Sequence, residues 1–191
     1  TTGTMNVIVG GIAGDALTTG GSNTAIGHAA LTGEDTGSRN VAVGTYCLTA
    51  LNYDGSGYNT AMGYQAGTAV STGLYNTLIG GLTGSSLTTG VRNTALGFKA
   101  LFSEDAHGKN VAIGYQALMD QDAGADGYNT AVGYAAGENI STGVQNTILG
   151  GLAGDSLTTG TNNVAIGFQA LSTQMVKMLQ LVPKPYEIKL W

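Results

Sequence analysis

The 191-residue chain is 42% apolar and only 10% charged, contains 32 glycines and carries a net charge of −5. That balance excludes a disordered segment, which runs to high charge and low hydrophobicity, and a nucleic-acid binder, which needs clustered Lys and Arg against the phosphates. A single cysteine, Cys47, excludes an intrachain disulfide framework and a cysteine-cluster metal site, and no apolar run reaches the length of a membrane span, so no membrane insertion is expected in this segment.

The chain starts in mid-coil without an initiator methionine, which predicts a piece of something longer. Its first repeated mark is Asn6, which returns at Asn23, Asn40, Asn59, Asn76, Asn93, Asn110, Asn129, Asn146 and Asn163, each followed four residues later by glycine. The spacings are 17, 17, 19 and 17 before the series restarts, so four coils make a unit of 70 residues, as from Asn6 to Asn76 to Asn146. Self-similarity at a fixed period of this size is the mark of a solenoid. The expected fold is all-β, a parallel β-solenoid or β-roll of about ten coils of 17–19 residues over 1–174, with 175–191 as a non-repeating end.

Each coil opens with a strand. The residue after the asparagine is Thr or Val throughout, and the third is Val9, Ile26, Val43, Met62, Ile79, Leu96, Ile113, Val132, Leu149 or Ile166. The two-residue period of a strand puts these on one face, and their size assigns that face to the core. The second residue then points outward: Ile8, Ala25, Ala42, Ala61, Leu78, Ala95, Ala112, Ala131, Ile148 and Ala165. A strand apolar on both faces is covered on both. The alanine-rich stripe is therefore assigned to an interface between identical chains, closed by symmetry into a homo-oligomer.

The glycine that follows (Gly10, Gly27, Gly44 and so on) marks a corner that excludes Cβ, and a second strand is expected beyond it. Seven residues after each asparagine stands a small residue, Ala or Thr in nine coils and Cys47 in the tenth, which reads as a small core slot. Threonine–glycine pairs such as Thr19–Gly20 and Thr89–Gly90 close the coils with turn chemistry. The ten asparagines are assigned to a structural amide ladder, each side-chain carbonyl accepting from an amide one coil on.

No chemistry-bearing motif survives this reading, and no enzyme, cofactor or metal is expected. Gly10 to Asp15 and Gly150 to Asp155 resemble calcium-binding repeats of β-rolls only superficially, because Ser85 replaces the aspartate in the middle copy. The acid-rich loops, Glu34 with Asp35, Glu104 with Asp105, and Asp120, Asp122 and Asp126, are better calcium candidates than those repeats, but the favoured reading is solvated tips that keep the rod soluble. His28 and His107 occupy different registers, with no serine or cysteine repeating beside them, so no hydrolytic triad forms. Tyr58, Tyr64, Tyr115, Tyr128 and Tyr134 are the ligand-binding candidates, since aromatic rows can stack against sugars. The competing reading has them packing between neighbouring chains or coils.

Asn-Thr-Ala-Ile-Gly at 23–27, Asn-Val-Ala-Val-Gly at 40–44 and Asn-Val-Ala-Ile-Gly at 163–167 resemble the coil signature of YadA-like trimeric adhesin heads. The segments 59–67, 110–118 and 129–137 are similar to the repeats of phage tail-fibre proteins. The resemblance covers roughly 1–174 and implies a left-handed β-roll in a homotrimer at a virion or bacterial cell surface. It also implies other fibre or virion subunits and a host surface glycan as partners. Two departures stand against it: the coils are longer than in the adhesin head, and no neck, stalk or anchor is present in this piece.

After Gln174 the pattern breaks, with no glycine, both prolines and Trp191. That tail reads either as a cap or arm covering the last coil's backbone edge, or as translation from a shifted frame. The functional expectation is a non-enzymatic structural and adhesive fibre module, extracellular, that displays loops for attachment. The alternative is an ice-binding solenoid, prompted by the threonines at 24, 60, 77, 94, 130 and 147. The supposed inward direction of those threonines argues against it.

Overall fold

A computed structural model describes residues 2–172. The end segment 175–191, read above as a cap, arm or shifted-frame tail, lies outside the described residues. Ten three-residue strands, β1 (Val7–Val9), β2 (Thr24–Ile26), β3 (Val41–Val43), β4 (Thr60–Met62), β5 (Thr77–Ile79), β6 (Thr94–Leu96), β7 (Val111–Ile113), β8 (Thr130–Val132), β9 (Thr147–Leu149) and β10 (Val164–Ile166), form one sheet in sequence order. Every neighbouring pair is parallel, and equivalent residues face each other, as in Val41 with Thr60 across a 19-residue coil. The extra two residues of the longer coils are absorbed between strands. Nine steps of one strand spacing make a rod about 43 Å long.

The faces of the strands are the reverse of the sequence expectation. Ala25, Ala42, Ala61, Leu78, Ala95, Ala112, Ala131 and Ile148 are fully buried within the single chain and Ala165 nearly so. Ile8, in the first coil and partly exposed, still turns its Cδ1 inward toward Gly14. The nine from Ala25 to Ala165 are core and cannot form an interface between chains, while Ile8 stays exposed in the first coil. The large third-position residues from Val9 to Ile166, with the Thr/Val ladder beside them, lie half-buried or exposed on the outer face. The cause is the narrowness of the coil: a mid-strand side chain directed inward meets the opposite turn at once, so only alanine fits, or a larger residue where the turn supplies space.

That space is what the four-coil period encodes. Where the inward strand residue is large, the position eight after the asparagine is glycine. A Cβ on Gly14, Gly84 or Gly154 would stand 3.0, 2.9 and 3.1 Å from the side chains of Ile8, Leu78 and Ile148. Where the strand residue is alanine, the turn position is often leucine, and Leu31, Leu48, Leu101 and Leu118 are fully buried there. Each such leucine contributes about 1.5–3 kcal/mol of burial. Cys47 fills the expected small slot, fully buried with its Sγ 3.2 Å from Ala61 O, and burial pushes its thiol up to about 12, which leaves it unreactive.

The second strand expected after each corner glycine is absent among the described residues; the segment is a succession of turns. Its backbone still bonds from coil to coil, as Gly14 N–H to Ala30 O at 2.9 Å and Leu31 N–H to Cys47 O at 3.0 Å. Extended structure fails there because left-handed residues recur in register. Ile12, Ala29 and Tyr46 stand at one position, Leu31, Leu48 and Leu101 at another, and Arg39, Tyr58 and Tyr75 just before the asparagine, with φ between 47° and 62°. Non-glycine residues visit this region singly and at a cost. Their repetition in every coil shows that inter-coil bonding and packing fix the conformation.

Candidate functional site

The asparagines line a buried corner of the rod. The backbone N–H of each donates to Oδ1 of the asparagine one coil earlier, from Asn23 on Asn6 at 2.9 Å to Asn163 on Asn146 at 2.9 Å, with no step missing. Most Nδ2 groups donate to the carbonyl fourteen residues on, as Asn59 to Gly73 and Asn76 to Gly90, both at 2.8 Å. The side chain thus satisfies backbone groups in two neighbouring coils at once. Seven of the ten make both bonds, while Asn110 Nδ2 is left without a partner, and repetition on this scale describes scaffolding.

The aromatic candidates divide between two columns. Tyr58 and Tyr128 stand immediately before an asparagine. Tyr58 stacks on Tyr75 with centroids 5.6 Å apart, and the pair is flanked by the guanidinium groups of Arg39 and Arg92 at 5.5 and 5.7 Å. Tyr128 lies under Lys109 Nζ, which also reaches Asp126 Oδ2 at 2.5 Å. Tyr64, Tyr115 and Tyr134 belong to the column after the corner glycine. Tyr115 stacks on Tyr134 at 5.3 Å and on Phe98 at 5.7 Å, while Tyr64 meets Tyr46 edge-on at 6.5 Å. All five rings remain exposed while packing between coils. Tyr75, Arg39 and Arg92 were missed in the sequence, although alignment on the asparagines places them in the column of Tyr58.

The acid-rich loops depart furthest from the expected solvated tips. Glu34 and Glu104, 70 residues apart, are completely buried. They stand eleven residues after an asparagine, where the other described coils carry Leu17, Leu51, Val70, Leu87, Ile140 and Leu157, and the buried Gln121 in the coil that follows Glu104. Glu34 Oε1 accepts from Gly37 N–H at 2.6 Å and Oε2 from Tyr53 N–H at 3.4 Å. Burial raises its carboxyl above the ordinary range, opposed by those backbone bonds.

Glu104 has one bond, from His107 N–H to Oε1 at 3.1 Å, and its Oε2 has no partner. Burial pushes this carboxyl up to about 7, opposed by the His107 N–H bond and by the His107 ring, and reinforced by Asp122 and Asp105. Ligand atoms of Glu104, Asp105, His107 and Asp122 all lie within 4.8 Å of one another, the one such grouping among the described residues.

The shift at Glu34 has a defined pH consequence. Its folded-state pKa is raised, so the native chain binds more protons than the unfolded chain above the ordinary carboxyl value of 4.5. Stability is full below that value and declines as pH rises through the folded pKa. Urea denaturation in the presence of a chelator will show Glu34→Gln with a shallower decline than the parent between pH 4.5 and neutrality. Parallel slopes would sink this assignment.

No protein family, curated protein or solved structure matches the chain. The fold and the ladder define its class: a parallel β-solenoid, a structural repeat module whose coils are bonded through their asparagines.

Proposed function

We propose that the chain is a non-enzymatic structural and adhesive fibre module of a virion appendage or bacterial surface, working outside the cell as a stiff rod that displays loops for attachment. The observation that carries this reading is the outward aliphatic ladder from Val9 to Ile166, one large side chain per coil on a single face. An apolar strip running the length of a rod is unusual on an isolated soluble chain. A surface that repeats once per coil is matched along its whole length by another solenoid of the same pitch, so the occupant is a further copy of this chain. Three copies is the number implied by the resemblance to trimeric adhesin heads and tail fibres. Other fibre subunits and a host glycan at the exposed tyrosines complete the proposal.

Light scattering on the purified chain tests it. The parent is expected to run as a trimer, and Leu96→Asp with Ile113→Asp, both on the outer face, is expected to release folded monomers. A parent that stays monomeric at tens of micromolar overturns the reading. The outward direction of Thr24, Thr60, Thr77, Thr94, Thr130 and Thr147 removes one argument against ice binding and favours it as the second reading. The valines at 7, 41, 111 and 164 still interrupt that ladder. A monomer that also shapes ice would move the assignment there.

A further inference from the structure

The 70-residue period supplies an internal comparison. The loops around Glu34 and Glu104 occupy equivalent places, and Asp35 has its counterpart in Asp105. Among the positions that differ, four bear on the carboxylate: Gly37 corresponds to His107, Leu51 to the buried Gln121, whose Nε2 is also without a partner, Asn52 to Asp122, and Tyr53 to Ala123. In the first loop the carboxylate is closed off, both oxygens accepting backbone N–H bonds. A Cβ on Gly37 would collide with the Glu34 carboxylate. His107 carries that Cβ, and there the bond to Oε1 is 3.1 Å where its counterpart is 2.6 Å. Glu104 Oε2 is buried without a partner, as is His107 Nδ1, which stands 3.6 Å from Glu104 Oε1. The second loop therefore holds a buried acceptor and a buried ring nitrogen that the chain itself does not satisfy, with two further carboxylates beside them.

A shared cation would satisfy all four. Donors about 2.0–2.2 Å from one ion lie about 3–4.4 Å from each other, so atoms already within 4.8 Å need only a small closure. Three carboxylates with one imidazole and no thiolate suit a first-row dication that accepts both oxygen and nitrogen donors, Zn²⁺ above all. Lys109 does not serve in its place, because its ammonium is held by Asp126 Oδ2 at 2.5 Å and Tyr128 OH at 2.8 Å.

We propose that Glu104, Asp105, His107 and Asp122 bind one first-row divalent cation of the Zn²⁺ class, tying the coil that begins at Asn93 to the coil that begins at Asn110. Glu104, Asp105 and His107 come from the first of these and Asp122 from the next, so the ion is a staple between neighbouring turns. The proposal is independent of whether the rod is a fibre.

Isothermal titration of the chelator-stripped full chain with Zn²⁺ tests it, alongside thermal melts at matched metal concentrations. One Zn²⁺ per chain at micromolar affinity or tighter is expected, with a melting temperature that rises as the site fills. His107→Gly and Asp122→Asn each restore the residue of the Glu34 loop, so both variants should fold. Each is expected to lose at least about 100-fold in affinity, beyond the 10–100-fold typical of losing a mere supporting residue. Absent Zn²⁺ binding, or binding that neither variant weakens, overturns the site. Ca²⁺ bound as tightly as Zn²⁺ overturns the imidazole-centred ligand set.

Discussion

Asn76→Ala is expected to destabilise the rod by about 2–6 kcal/mol, lowering the melting temperature by about 4–24 °C. The substitution removes the acceptor for Asn93 N–H at 2.9 Å and the donor to Gly90 O at 2.8 Å. Both abandoned groups are backbone, and the corner they occupy is buried. An orphaned buried polar group costs about 1–3 kcal/mol, and in a chain of this length each kcal/mol corresponds to about 2–4 °C. Asn6→Ala is the comparison. Asn6 makes the same two bonds, to Asn23 N–H and Gly20 O, but sits only half-buried in the first coil, where water reaches the freed groups. It should cost no more than half as much in the same melt. Equal losses at both positions would show that burial of the ladder is not the source of its strength.

The ladder, the strands and the small core slot were legible because each rests on identity repeated at a fixed spacing, and in-register parallel pairing follows once the period is known. The faces of the strands were not. A two-residue period says which side chains share a face, and it is silent on which face is inside. Size decides that, in a direction opposite to ordinary cores: the interior of a narrow coil takes Ala42 and excludes a residue like Met62. The signal was present in the pairing of Leu78 with Gly84 and of Ile148 with Gly154, large against absent, once per four coils.

The left-handed corners were hidden because Arg39, Tyr58 and Leu48 occupy them without glycine, held there by contacts from adjacent coils. The acids of the cluster stood among the candidates, but the burial of Glu104 and the place of His107 beside it were missed for a related reason. Glu104 and Asp105 look like a polar tip when read along the chain. Only alignment on the asparagines shows Glu104 in a column of aliphatic residues, and only folding brings Asp122 beside His107.

The corner glycines should prove about as hard to replace as single asparagines, and Gly80→Ala tests why. At Gly80 φ is +134°, outside the range that a side chain adopts comfortably, and an added Cβ would stand 2.5 Å from Gly97 O, 2.7 Å from Gly97 C and 2.8 Å from Thr83 Oγ1. The backbone conformation alone costs about 1–3 kcal/mol. The contact cannot be relieved by a side-chain rotation, because its nearest atoms belong to the backbone of the next coil, and forcing packed elements apart adds about 1–3 kcal/mol or more. The two coils would have to separate locally, breaking Gly97 N–H from Ile79 O, now 2.8 Å, and the β5–β6 pairing beside it. Gly124→Ala separates the two contributions. Gly124 also has positive φ, at +65°, yet no described atom lies within 4 Å of its Cβ position. It is expected to cost about 1–2 kcal/mol, against about 2–6 kcal/mol at Gly80 by urea denaturation. If the two variants lost equal stability, the close stacking of corner upon corner would not be what reserves this position for glycine.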